Sequence, residues 1–293
     1  MRNNPYEHMH DADRIPVKTN FHAHAGVCIP NDCGELPMDD VVEAYRRAQY
    51  GALAISNHNR YVDHRIYEGI SVLDAVEYSA HPHMLLVGTR NYYDVPHQQA
   101  IDLALAEGAF VVLNHPNWMN HKYWPWKMME ELTGYTGIEI VNPVIFRLKG
   151  SGIALDAWDH LLTKGHNVFG FGNDDFHLWR DLERSYNVIF SRSSGFDDIS
   201  AAIKEGCFYV SDGVALKNVK LSKTTLEVEA GFFTESYINT FEYTLVGTGG
   251  KVLGRVIDMK ATFEFPDSEL YIRVEVRAEN GAKLFTQPMM LSN

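Results

Sequence analysis

What most constrains this chain is a rhythm. From Val17 to about Gly213, short apolar runs alternate with stretches of helical spacing, and a glycine closes most of those stretches. Val17–Phe21 is the first apolar run. Met38–Gln49 follows with helical spacing, Asp39 and Asp40 in its first turn and Arg46 and Arg47 late, as the helix dipole favours. Gly51 ends it, and Ala52–Ser56 is a buried-strand candidate. The cycle goes on with Met84–Val87, Ala109–Leu113, Gly137–Val141, Val168–Gly172 and Tyr186–Phe190 as strands. Between or after them come helical stretches at Val95–Glu107, Lys127–Leu132, Ala154–Lys164 and Phe196–Glu205. Strands alternating with helices imply βα units around a parallel sheet. About seven such units fit a closed barrel better than a flat doubly wound sheet.

After Gly213 the texture changes. Ala215–Glu229, Ile238–Val246, Ala261–Phe265 and Leu270–Arg277 alternate polar and apolar residues, with turns at Gly247–Gly250 and Asn280-Gly281. That is the pattern of antiparallel hairpins. The expected organisation is a polar extension over 1–16, an α/β barrel over 17–213 and a smaller antiparallel β-sandwich over 214–293. A length of 293 residues suits one large domain plus a smaller one.

Composition narrows the function. Hydrophobic residues make up 45% and charged residues 22%, as in an ordinary globular protein. A net charge of -12 repels phosphate polymers, so a nucleic-acid partner is not expected. A small-molecule substrate is, and an anionic one is compatible, because a local cation reverses the potential inside a pocket. Cys28, Cys33 and Cys207 form neither a disulfide framework nor a zinc knuckle and read as free thiols. The opening MRNNPYEHMHDADR has no apolar signal core, and no apolar run approaches membrane-spanning length. The expectation is a cytoplasmic protein with no membrane partner; nothing in the sequence sets an oligomeric state.

The strongest local signal is Thr19-Asn20-Phe21-His22-Ala23-His24-Ala25-Gly26. Two histidines one residue apart at a strand end point to the same side and can grip one metal. Imidazole suits Zn, Mn or Fe, so the pair does not choose the ion. Later strands end in further donors: Asn57-His58-Asn59, Asn114-His115-Pro116, Glu139 before Asn142, and Asn173-Asp174-Asp175-Phe176-His177. In a parallel barrel all these ends share one face, where active sites sit.

These residues resemble the polymerase-and-histidinol-phosphatase (PHP) superfamily of metallohydrolases. The likeness runs in order through HAHAG, AISNHN, LVGTR, LNHP, GIEI and GNDDFH. The stretches Glu205–Gly213 and Leu270–Met290 look like the branch that includes carbaryl-hydrolase-like proteins. The resemblance implies a distorted (βα)7 barrel binding up to three divalent metals. His22, His24 and Asp175 would hold one ion, His115 would help hold a second, and His58 and His177 a third. A metal-activated water would attack phosphorus or a carbonyl carbon. His58 and His177 are also the candidates for a general acid or base.

Two positions depart from the family pattern. Its Asp in TDH is Asn57 here, and its metal-bridging Glu aligns with Arg90. Arg cannot ligate a cation and carries a permanent positive charge. The expectation is therefore one or two Zn, Mn or Fe ions rather than three. Arg90 would grip an anionic substrate group, with Asn57, Asn142 and Trp118 as further substrate contacts. The leading reading is a metal-dependent phosphoesterase or amide, ester or carbamate hydrolase. The alternative is an inactive barrel that binds a ligand for sensing. Glu139 reads either as a replacement carboxylate or as a cation's partner. Trp118, Trp124 and Trp126 either roof the pocket or pack on one another. His97 reads as a surface or capping group, and His64, His81, His83, His121, His160 and His166 as solvated.

Overall fold

The computed structural model describes residues 4–27, 33–121, 123–234 and 240–291. Cys28, the expected strand start at Ile238 and the side chain of His121 lie outside them. The first part of the chain supplies β1 (Ile15–Asn20), α1 (Met38–Arg47), β2 (Ala52–Ile55), β3 (Ser71–Tyr78), β4 (Met84–Val87), α2 (His97–Ala106) and β5 (Phe110–Leu113). It continues with α3 (Trp118–His121), α4 (Trp126–Glu131), β6 (Gly137–Val141), α5 (Leu155–Thr163), β7 (Phe169–Gly172), β8 (Tyr186–Ser191), α6 (Phe196–Glu205) and β9 (Phe208–Ser211). The second part is all strand: β10 (Val214–Leu221), β11 (Thr225–Phe232), β12 (Phe241–Gly247), β13 (Lys251–Asp258), β14 (Lys260–Glu264), β15 (Tyr271–Ala278), β16 (Lys283–Thr286) and β17 (Met289–Met290).

Local sequence explains these elements. The runs ALAI, MLLV and FVVL are buried at every position, as expected of strands covered on both faces. Helix α1 turns Val41, Val42 and Tyr45 inward and keeps its acids first and its arginines last. Helix α6 ends at Gly206, whose φ of 76° is the left-handed turn that glycine permits without strain.

The main sheet runs β13-β12-β15-β16-β9-β8-β1-β2-β3-β4-β5-β6-β7, with β17 on β15; a second sheet is β10-β11-β14. Strands β1, β2 and β3 are parallel to one another, as are β5, β6 and β7. Strand β4 is antiparallel to both β3 and β5. All six parallel strands therefore point one way, whereas β4, and β8 beside β1, bring their N-terminal ends to that C-terminal edge.

The α/β class is as expected, but the regular (βα)7 alternation is not what the described residues show. Strand β3 lies where no element was expected, and no helix separates β2 from β3 or β3 from β4. Strands β7 and β8 are tied by side chains rather than by a ladder. Asn187 on β8 bonds the backbone N and O of Gly172 at 3.0 and 2.8 Å, and Gln287, just after β16, does the same to Gly170 at 2.9 and 2.7 Å. Beyond their strand ends, Ala23 and Phe176 form a parallel bridge that joins the segment after β1 to the one after β7.

In the second part, Leu216, Val228 and Phe263 of one sheet share a core with Tyr243, Leu245, Val274 and Val276 of the other. The β9–β16 pairing carries the main sheet across residue 213, so strands before and after that residue share hydrogen bonds. A buried ion pair reinforces the junction: Arg273 on β15 makes two bonds, at 2.9 and 2.7 Å, to Asp159 on α5. The N-terminal segment is more than a polar wrap. Tyr6 and Met9 are buried, and the Tyr6 hydroxyl donates to Phe208 O at 2.8 Å. Among the described residues no helix is long and apolar enough to cross a membrane.

Candidate metal centre

The shared strand edge gathers donors from six strands. His22 and His24 follow β1, His58 follows β2, Glu77 ends β3, His83 precedes β4, His115 follows β5, and Asp175 and His177 follow β7. His115 and Asp175 sit at φ of 34° and 51°, left-handed conformations that cost a non-glycine residue roughly 1–2 kcal/mol. Such strain at two strand ends of one edge is a mark of functional positioning.

Glu77 is the hub. It is fully buried, and its carboxylate meets His58 Nδ1 at 2.7 Å, His83 Nδ1 at 3.1 Å, His22 Nε2 at 3.3 Å, His24 Nε2 at 3.6 Å and His115 Nε2 at 3.7 Å. Asp175 Oδ1 faces the same rings, 3.2 Å from His22 Nε2 and 3.4 Å from His24 Nε2. Three overlapping groups have ligand atoms within 4.8 Å of one another: His22–His24–Glu77, His58–Glu77–His83 and His24–His58–His177.

A second layer fixes this first one. Glu139 is buried and accepts four bonds: His22 Nδ1 at 2.8 Å, Asn173 Nδ2 at 2.9 Å, the His115 backbone N at 2.9 Å and Asn142 Nδ2 at 2.9 Å. Asn142 Nδ2 also reaches Asp175 Oδ2 at 3.1 Å. A proton on His22 Nδ1, held by Glu139, leaves the Nε2 lone pair facing inward, the arrangement that orients metal-ligating imidazoles.

The electrostatics of the metal-free protein follow from this packing. Burial would lower the His22 imidazole, but Asp175, Glu139 and Glu77 outweigh it and raise it well above its ordinary value. His24 lacks that compensation; burial and the nearby His177 push it down to about 3. His58 rises against burial to about 10, chiefly through Glu77, and His177 to about 9, chiefly through Asp175. Glu77 and Asp175, though buried, are held well below the carboxylate range, His22 being the largest favourable influence on each. Hydrogen bonds from His177 and His58 lower the Cys33 thiol to about 6.

The donor set fits a divalent cation. His22 Nε2 and both ring nitrogens of His24 are buried without a hydrogen-bond partner. Each such orphan costs about 1–3 kcal/mol unless something satisfies it. His22 Nε2 and His24 Nε2 both face Glu77 and Asp175, so a cation among these groups answers the two together.

The structure gathers His22, His24, His58, His115, Asp175 and His177, and Trp118 lines the same cavity, its ring 5.1 Å from that of His115. Three expected roles are corrected by position. Arg90 lies outside the cavity, largely exposed and bonded to Asp74 Oδ2 at 2.9 Å. Because β4 runs antiparallel, its C-terminal end carries Arg90 away from the site. Asn57 is buried and spans Ala25, accepting from its N at 3.1 Å and donating to its O at 2.8 Å. Asn142 is buried and spends its amide on Glu139 and Asp175.

Two central residues escaped sequence reasoning. Glu77 fell in a stretch with no assigned element, although 57–83 is long for a structureless loop and so was itself a signal. His83 was expected to be solvated; it is buried because β4 begins, rather than ends, at the site. Trp124 is in the core with Nε1 donating to His83 O, and Trp126 stacks on His160 at 4.1 Å, so neither roofs this pocket. His97 bonds Pro82 O at 2.8 Å.

The cavity above the cluster measures about 400 Å3 and is lined by Cys33, His58, Glu77, His83, His115, Trp118, Arg147, Asp175 and His177 among others. A larger one of about 770 Å3 lies between α5 and the C-terminal sheet. The larger cavity has none of the metal-donor groups found among the described residues, so the chemistry belongs to the smaller.

The chain shares its fold with a crystal structure of a two-domain protein from Bacteroides vulgatus that contains a predicted PHP-like metal-dependent phosphoesterase. The two align with a TM-score of 0.56 and 16% sequence identity, over 94% of this chain and 96% of that one. No protein-family model matches the chain, and no curated protein does.

Proposed function

We propose that this chain is a metal-dependent hydrolase acting on a small phosphoester, or on an amide, ester or carbamate. The observation that carries the reading is the buried Glu77 carboxylate amid imidazoles, with the orphaned Nε2 atoms of His22 and His24 facing it. Membership of the PHP superfamily, and of its carbaryl-hydrolase-like branch, is part of the same proposal. It rests on the ordered motifs and, for the superfamily, on the shared fold.

His22, His24, Glu77 and Asp175 would hold one Zn, Mn or Fe ion, and Glu77 with His58, His83 and His115 could hold another. The argument for fewer than three ions came from Arg90 in the place of a carboxylate, and Glu77 removes that argument. A divalent ion bound here brings the pKa of a water to about 7 and stabilises charge on a phosphoryl or carbonyl oxygen. The remaining work belongs to side chains. Glu139 keeps the His22 proton on Nδ1, and Asn142 turns Asp175 so that Oδ1 faces the imidazoles. His177 holds Nδ1 against Asp175 O at 2.7 Å, which leaves Nε2 for the cavity. Arg147 lines the mouth and takes the anion-steering role first assigned to Arg90, while Trp118 offers an apolar ring face. The sensing alternative drew its support from Arg90 and loses it.

Metal analysis of purified protein, with turnover of a phosphoester and amide panel in added Mn, Zn or Fe, tests the reading. One or more tightly held ions per chain and metal-dependent turnover are expected. No bound metal and no gain in turnover would refute it.

A further inference from the structure

Cys33 reads from sequence as an ordinary free thiol, yet its position is not ordinary. It lines the metal cavity half-buried, and its thiol hydrogen-bonds both His58 and His177. On His58, Nδ1 is taken by Glu77 Oε2 at 2.7 Å and Ser79 Oγ at 2.5 Å; on His177, Nδ1 is taken by Asp175 O at 2.7 Å. The second nitrogen of each ring is what remains for the thiol.

Those two rings form one donor group with His24, which is fully buried and has no hydrogen-bond partner on either nitrogen. An unpartnered buried imidazole and a thiol thus meet at the same two histidines, on the solvent side of Glu77. We propose that Cys33 Sγ is a fourth donor to a cation held by His24, His58 and His177, giving that position an N3S ligand set.

This inference rests on the metal-dependent reading only in needing a cation to bind. It adds two properties. A thiolate makes the outer position favour Zn2+ over Mn2+ or Mg2+, since soft donors select such ions. Four protein donors also complete a tetrahedral shell, as in structural zinc sites. The groups around Glu77 would then keep the open positions for water and substrate. On binding, the protons on the free nitrogens of His58 and His177, and on Cys33 where it is still a thiol, pass to solvent as N–metal and Sγ–metal bonds form.

Cobalt substitution tests this without any activity assay. The wild-type Co2+ protein should show a near-ultraviolet thiolate-to-cobalt charge-transfer band. Cys33→Ser should lose that band and about one cobalt per chain, whereas Cys207→Ser should keep both, because Cys207 is buried in the core and does not line the cavity. A band that survives Cys33→Ser would overturn the proposal. So would a wild-type protein that binds cobalt with no thiolate band, which would leave the hydrolase reading standing. A wild-type protein that binds no cobalt would bring down both.

Discussion

Glu139→Gln is the sharpest perturbation of the site, because the substitution keeps the shape and changes only the chemistry. The carboxylate accepts two bonds on Oε1, from His22 Nδ1 and Asn173 Nδ2, and two on Oε2, from the His115 N and Asn142 Nδ2. A glutamine amide has one acceptor and one donor end. Whichever way it turns, its NH2 faces two donors, so two of the four bonds are lost. Hydrogen bonds to a charged group contribute about 1.5–3 kcal/mol each, so the loss is about 3–6 kcal/mol. That is a large share of a typical stability of about 5–15 kcal/mol. The same change releases the His22 tautomer and should weaken metal binding about 10–100-fold, as loss of an orienting partner does. Thermal melts of the metal-free protein and metal competition against a chelator read the two effects separately. A variant within about 0.5 kcal/mol of wild type, with unchanged metal affinity, would refute the assignment of Glu139 as the holder of His22.

Three further outcomes follow from the geometry. Arg90→Ala should leave metal content and turnover unchanged, because Arg90 only pairs with Asp74 at the surface; a tenfold loss of either would return it to the site. Metal binding near pH 7 should release about two protons, from His58 and His177, as calorimetry in buffers of different ionisation enthalpy would show; no proton exchange would refute their protonation. The sign for stability follows from the same values. Both rings lie above their ordinary 6.5 in the folded protein, at about 10 and about 9, so their stabilising contribution is full below 6.5 and is lost as pH rises through 9 to 10. The metal-free Tm should therefore fall over that window. Asp159→Ala should cost about 3–5 kcal/mol by stranding the buried Arg273, while leaving metal content intact; denaturant melts showing under 1 kcal/mol would count against the ion pair as a junction.

The parts of the site legible in the sequence are those whose strands run with the majority. His22, His58, His115 and Asp175 each follow an apolar run, and a parallel sheet sends every such end to one edge. Helices α1 and α6 were legible for local reasons, since their caps and charge bias lie within the segment itself. Strand direction has no such local mark. The run MLLV looks the same in either orientation, and the assumption that it runs parallel put Arg90 at the site and left His83 in solvent. Strand β3 was hidden because SVLDAVEY is only partly alternating, its last four residues being buried on both faces. The buried glutamate at its end was therefore not read as a donor.

Asn57 shows how a departure from a resembled motif changes meaning once its partners are known. As a substitute for an aspartate ligand it would be a weakened oxygen donor. Its amide instead takes both polar groups of the Ala25 backbone, one as acceptor and one as donor. A carboxylate could accept from Ala25 N but has no proton for Ala25 O, and it would set two buried acceptors against each other. Only an amide satisfies both ends. The neutral residue thus fastens the turn immediately after His24 to the end of β2, fixing the backbone that carries the first two histidines. Aspartate at this position should loosen that turn rather than strengthen a metal site. The two apparent losses, at Asn57 and Arg90, therefore have structural explanations that leave the donors around Glu77 whole.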